Sequence, residues 1–131
     1  MRVIALDYGA ARTGVAVSDA TGELARPLGV VEQAAAEDGL ARIVALVAEQ
    51  EAELVVVGMP LTLRGEHGPQ AQETERFVDA LREVLDVAVE TFDERFTTAL
   101  AARTPSSAPE DARAAAHLLA GYLEWARARG Q

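Results

Sequence analysis

Apolar positions along this chain follow two rhythms, unbroken runs and helical spacing. Val3-Ile4-Ala5-Leu6 is an unbroken run that ends in Asp7, Tyr8 and Gly9. Four apolar residues without alternation read as a strand covered on both faces, and so as a central strand. The small-residue turn from Tyr8 to Gly14 is short, so the next run, Val15 to Ser18, forms an antiparallel hairpin with the first. Asp19-Ala20-Thr21-Gly22 has Asp first and Gly fourth, as a type I turn asks. A third strand follows from about Ala25 to Val31. The spacing then changes. Leu40, Ile43, Val44 and Val47 share a helical face, which predicts a helix over Glu37 to Gln50. Leu54 to Val57 is again a continuous run, stopped by Gly58-Met59-Pro60, and reads as an interior parallel strand.

The remainder alternates in the same way. Leu61 to Pro69 is a loop. Phe77, Val78, Leu81 and Leu85 mark a helix from about Gln70 to Leu85, and Val87 to Phe92 a fifth strand that ends in Asp93-Glu94-Arg95. Thr97 to Arg103 predicts a short helix, and Thr104 to Pro109 a loop. Ser107 and Glu110 stand as a capping box for a last helix running to about Arg127. Three antiparallel strands, helix, strand, helix, strand and helices make an α/β fold. Its layout resembles the ribonuclease H-like fold, a five-stranded mixed sheet with helices on both faces. The length, 131 residues, suits a single domain over residues 1–131.

Composition narrows the class. Half of the residues are hydrophobic, yet no apolar run reaches the roughly 18 residues that cross a bilayer. There is no cysteine, hence no disulfide framework or thiolate metal site, and no basic-then-apolar leader pattern. A cytoplasmic protein is the expectation. The net charge is −9, and the positive residues are all arginine. That balance opposes a broad nonspecific grip on nucleic acid, which needs many cationic phosphate contacts. It leaves room for an acidic metal site and a local arginine patch.

Carboxylates gather where such a fold places its sites, at the carboxyl ends of parallel strands. Asp7 ends the first strand, and Asp93 and Glu94 end the fifth; with the fourth strand beside the first and the fifth beside the fourth, these ends share one edge. Asp7 read alone is equally a turn-starting Asp. Asp111 shares a helical face with Ala115, Leu118 and Tyr122, an apolar face that packs on the sheet. It either joins the other acids or complements the helix dipole, an effect of ~0.3–1 kcal/mol. Three carboxylates at one spot repel, and divalent cations relieve the repulsion. All-oxygen ligands suit Mg2+ or Mn2+, and two ions about 4 Å apart serve phosphodiester cleavage. Arg95 either forks onto a phosphate or pairs with Asp93 or Glu90. Arg12 and Arg64 flank the same edge as candidate substrate contacts. His67 and His117 make no zinc set; His117 reads as a partly exposed helix residue and His67 as a solvated one.

Several stretches together resemble the YqgF family, also called RuvX-like, small bacterial proteins related to the RuvC Holliday-junction resolvases. They are Asp7-Tyr8-Gly9, Gly14-Val15-Ala16-Val17-Ser18-Asp19, Gly58-Met59-Pro60-Leu61 with the loop on to Gly65, Asp93 to Thr98, and the Asp111 to Tyr122 spacing. The resemblance runs nearly end to end. It implies a ribonuclease H-like, metal-dependent nuclease associated with maturation of the 5′ end of 16S ribosomal RNA, and earlier described as a junction resolvase. It also implies an acidic set of Asp7, Glu94 and Asp111, with Asp93 as alternative ligand to Glu94, holding Mg2+ or Mn2+. Two departures bear on substrate. Thr62 stands where many relatives have Asn, and the stretch before Asp111 is short and reads Ala108-Pro109-Glu110, without the basic segment many relatives carry.

Four functions follow for comparison. The first is a nuclease acting on structured RNA. The second is a DNA junction resolvase, which needs a two-fold dimer where the first works as a monomer or homodimer. The third is an ATP-binding domain of the actin-like or sugar-kinase type, which shares the Asp7-x-Gly9 turn but needs two such domains. The fourth is a ribosome-assembly module without activity.

Overall fold

The computed structural model describes residues 1–61, 64–94 and 109–130. Among these are five strands and three helices: β1 (Val3–Asp7), β2 (Arg12–Ser18), β3 (Ala25–Glu32), α1 (Glu37–Glu49), β4 (Leu54–Met59), α2 (Pro69–Val84), β5 (Ala88–Asp93) and α3 (Glu110–Ala128). The sheet order is β3-β2-β1-β4-β5. β1 pairs antiparallel with β2 and parallel with β4, and β4 pairs parallel with β5. The expected meander and crossovers are all present.

Strand parity sorts the apolar residues onto two faces. Ile4, Leu6, Val15, Val17, Val55 and Val57 pack with Ile43 of α1 and Phe77 and Leu81 of α2. Val3, Ala5, Ala16 and Val56 pack on the other side with Ala115, Leu119 and Tyr122 of α3. The continuous apolar runs of β1 and β4 are thus explained, since both faces are covered. Ser18 Oγ accepts from the Val3 amide at 2.8 Å, which fixes the start of β1 against the end of β2. The Asp19 turn closes as its residues ask: Gly22 N–H donates to the Asp19 carbonyl at 3.1 Å, and the Asp19 carboxylate accepts from Thr21, Glu23 and Leu24. Among the described residues no helix is long and apolar enough to cross a membrane.

Three boundaries differ from the sequence reading by more than one residue. β2 begins at Arg12, not Val15, because its ladder to β3 runs on to Arg12–Glu32, while its ladder to β1 ends at Asp7–Gly14; Thr13 is fully buried despite its hydroxyl. β4 continues through Gly58 and Met59. Pro60, which has no N–H to donate to a ladder, follows its last residue. α3 begins at Glu110 with Pro109 as its N-cap and no side-chain cap, whereas a capping box needs its Glu at the third helical position. Ser107, the helix expected over Thr97 to Arg103, and the Thr104–Ala108 part of the loop lie outside the described residues.

Candidate active site

Asp7 is the last residue of β1 and shares its parity with Val3 and Ala5, so its carboxylate faces α3. The next residue, Tyr8, turns to the opposite face. Its ring stacks on Phe77 of α2 at 4.4 Å, and its hydroxyl donates to Glu73 at 3.2 Å. Gly9 and Thr13 then close the turn into β2, with Gly9 N–H donating to Thr13 Oγ1 at 3.3 Å. The carboxyl end of β1 is therefore pinned on one face by an aromatic stack while it presents Asp7 on the other.

Two further acids approach Asp7 from opposite sides. Glu94 follows β5 directly and has the parity of Phe92, so it too faces α3. Its carboxyl group hydrogen-bonds to that of Asp7. Two carboxylates in contact cannot both stay ionised cheaply. Burial foremost, and then the neighbouring Asp7 charge, pushes the Glu94 pKa up to about 7. Burial also holds Asp7 above its ordinary range, with Asp111 adding to the effect and the bond from Glu94 opposing it. The two carboxyl groups therefore share a proton that each alone would hold less tightly.

Asp111 comes from the other side, in the first turn of α3. It reaches the site because Gly14, the cross-strand partner of Asp7, has no side chain. A Cβ at Gly14 would overlap the Asp111 carbonyl oxygen. The helix therefore rests on bare β2 backbone beside Asp7. Asp111 is ion-paired with Arg12 at 3.2 Å, across a half-exposed gap. Among the described residues no three acids or histidines stand close enough to ligate one metal ion. The geometry is a hydrogen-bonded acid pair, Asp7–Glu94, with a third carboxylate held nearby by arginine.

The remaining candidates fall as follows. Asp93 points to the α2 face and lines a cavity of about 450 Å3 with Met59, His67, Glu75, Asp79 and Arg82. It stands apart from Asp7, although its charge contributes to the raised Glu94 pKa. Arg12 is committed to Asp111, so it reaches substrate only by leaving that pair. Arg64 is exposed in the turn after β4. Arg95 lies outside the described residues. His67 pairs with Glu75 at 3.0 Å on the far side of the sheet. His117 is different. It lines a cavity of about 280 Å3 together with Asp7, Glu94, Ala114 and Leu118. It is the partly exposed helix residue the sequence predicts, and its nearness to the acid pair is what the sequence reading does not show. Its place one turn on from Ala114, along the side of α3 next to Asp111, was the signal available.

A five-stranded mixed sheet of order β3-β2-β1-β4-β5 with these helices places the chain in the class of ribonuclease H-like folds. Comparison with known proteins agrees. The chain belongs to the RuvX family, whose model, described as Holliday junction resolvase, matches residues 1–125. It is 50% identical over 99 residues to a protein of Chloroflexus aggregans named as a candidate pre-16S rRNA nuclease, covering 76% of this chain and 70% of that one. A protein of the same name from Halothermothrix orenii is 37% identical over 134 residues, covering 95% and 96%. The fold is similar to that of Thermus thermophilus RuvC, solved in complex with Holliday junction substrate. The TM-score is 0.68 at 18% identity, over 98% of this chain and 96% of that chain.

Proposed function

We propose that this chain is a divalent-metal-dependent nuclease that hydrolyses phosphodiester bonds in the 5′ region of precursor 16S ribosomal RNA. The observation that carries the proposal is the Asp7–Glu94 pair, two carboxylates held in contact by the fold at the carboxyl end of β1. The names of the curated relatives supply the RNA.

The donor set fits a hard divalent cation. Asp7 and Glu94 offer oxygen ligands, and the proton they share stands where a cation would relieve the same repulsion. Asp7 and Glu94 would hold Mg2+ or Mn2+, with Asp111 as third carboxylate once it is free of Arg12. A bound ion supplies a nucleophilic water and charge neutralisation at the phosphate. The chain's own residues do the rest. Gly14 seats α3 beside Asp7, the Tyr8–Phe77 stack fixes the direction of β1, and His117 borders the cavity where a phosphate would lie. Arg12, Arg64 and Arg95 are the candidate phosphate contacts.

A second reading is cleavage of four-way DNA junctions, favoured by the family description. One experiment separates the two. Purified protein with Mn2+ is offered a labelled precursor 16S leader RNA and a four-way DNA junction, with Asp7→Asn as control. Cleavage of the RNA alone supports the first reading, and paired symmetrical nicks in the junction the second. Activity surviving in Asp7→Asn rejects the site.

A further inference from the structure

Glu94 and Asp7 belong to strands that are not neighbours. β4 lies between β1 and β5, so the two chain segments are about 10 Å apart, at ~4.8 Å per strand spacing. The Glu94 side chain must cross β4 to touch Asp7. Leu6 pairs with Val57, so the β4 residue beside Asp7 is Gly58, and Gly58 in turn pairs with Phe92 of β5. Strand parity turns the missing side chain of Gly58 toward α3, the face on which Asp7 and Glu94 meet.

We infer that Gly58 is the positioning residue of the acid pair: its bare backbone is the floor of a passage over β4 through which Glu94 reaches Asp7. A Cβ built at Gly58 would stand 2.7 Å from Glu94 Oε1 and 3.0 Å from Glu94 Cγ. Both the carboxylate and the stem of Glu94 thus lie directly over this glycine. The roof of the passage is Leu118 of α3, whose Cδ2 would be 3.0 Å from the same Cβ. Leu118 is buried and cannot retreat without disturbing the α3 face of the core, whereas the glutamate can swing away. A methyl group at position 58 therefore displaces Glu94 from Asp7 in preference to lifting the helix. Backbone conformation does not explain this glycine, since it sits inside a regular strand, where glycine lacks packing surface and raises the entropy lost on folding. The gap itself is its use. Across the sheet, Gly14, Asp7 and Gly58 form a row in which the two glycines give the two other acids their access to Asp7.

The inference deepens the nuclease reading, and its test is arranged so that either can fail alone. Wild type, Glu94→Gln, Gly58→Ala and the double variant are melted at pH 8 in EDTA. Glu94→Gln removes a carboxylate pressed against Asp7, so it raises the Tm of the wild type by a few degrees. In the Gly58→Ala background Glu94 has already left, and the same substitution produces no shift. Equal shifts in both backgrounds, or none in the wild type, overturn the inference. Should Gly58→Ala fail to fold, Leu118→Val is added to remove the roof methyl and the comparison is repeated. Failure of that background as well overturns it, because Gly58 would then act through core packing alone. The metal arm follows. Mn2+ raises the wild-type Tm and binds Gly58→Ala roughly 10-fold more weakly, as loss of a ligand's supporting contact does. No Mn2+ effect on the wild type, alongside the expected result in EDTA, removes the metal-dependent reading and leaves the role of Gly58 standing.

Discussion

Glu94 binds its proton more tightly in the folded protein than in the unfolded chain, since its pKa rises from 4.5 to about 7. Asp7 moves in the same direction. A carboxyl group raised by folding favours the native state while it is protonated. That contribution is complete below about 4.5 and fades as pH rises through about 7. The metal-free protein should therefore lose stability between these values, measured as a falling denaturant midpoint. Divalent-ion affinity should climb over the same interval, as the shared proton gives way. Asp7→Asn removes one charge from the pair at constant shape. It should abolish cleavage, and it should leave the metal-free protein at least as stable at pH 8 by thermal melting. At this scale the sequence was informative about which acids to consider and silent about how they meet. Asp93 and Glu94 are adjacent and chemically alike, and only the period of two in β5 turns one toward α2 and the other toward Asp7. The Arg12–Asp111 ion pair was out of reach, because it joins β2 to α3 through tertiary packing alone.

Elements hold these residues in place through a few close approaches. Gly14→Ala forces a methyl into the Asp111 carbonyl and must push the start of α3 off β2. Overpacking of this kind loses roughly 1–3 kcal/mol, readable by urea denaturation. Phe77 is fully buried and supports Tyr8 from α2. Phe77→Ala should lose about 3–5 kcal/mol and free the end of β1. Hydrophobic rhythm revealed nearly every element, because buried strands and amphipathic helices differ in period. It failed where polar residues serve in the sheet. Arg12, Thr13 and Gly14 carry no apolar signal, yet they extend β2 along β3 and set Gly14 opposite Asp7. Gly58 and Met59 resemble a turn before Pro60 but continue β4, so the site's neighbouring strands are longer than composition suggests.

The whole molecule carries a charge of −9, and its acid pair adds local repulsion to that general field. A divalent cation that binds only the native pair stabilises the fold by mass action, by about 2.7 kcal/mol at 100 times its Kd. Millimolar Mn2+ or Mg2+ should therefore raise the Tm at pH 8, and the rise should vanish in Asp7→Asn. Sheet order and the convergence of strand ends were legible from the alternation of elements alone, since short links and crossovers permit few arrangements.

The rest of α3 on β2 at Gly14 has one more consequence. Asp111 is located by that contact and by the buried face of its own helix, from Ala112 to Leu123. The third carboxylate therefore moves with the helix: any shift of α3 on the sheet would change its distance from the acid pair, so the site reports how that helix is seated.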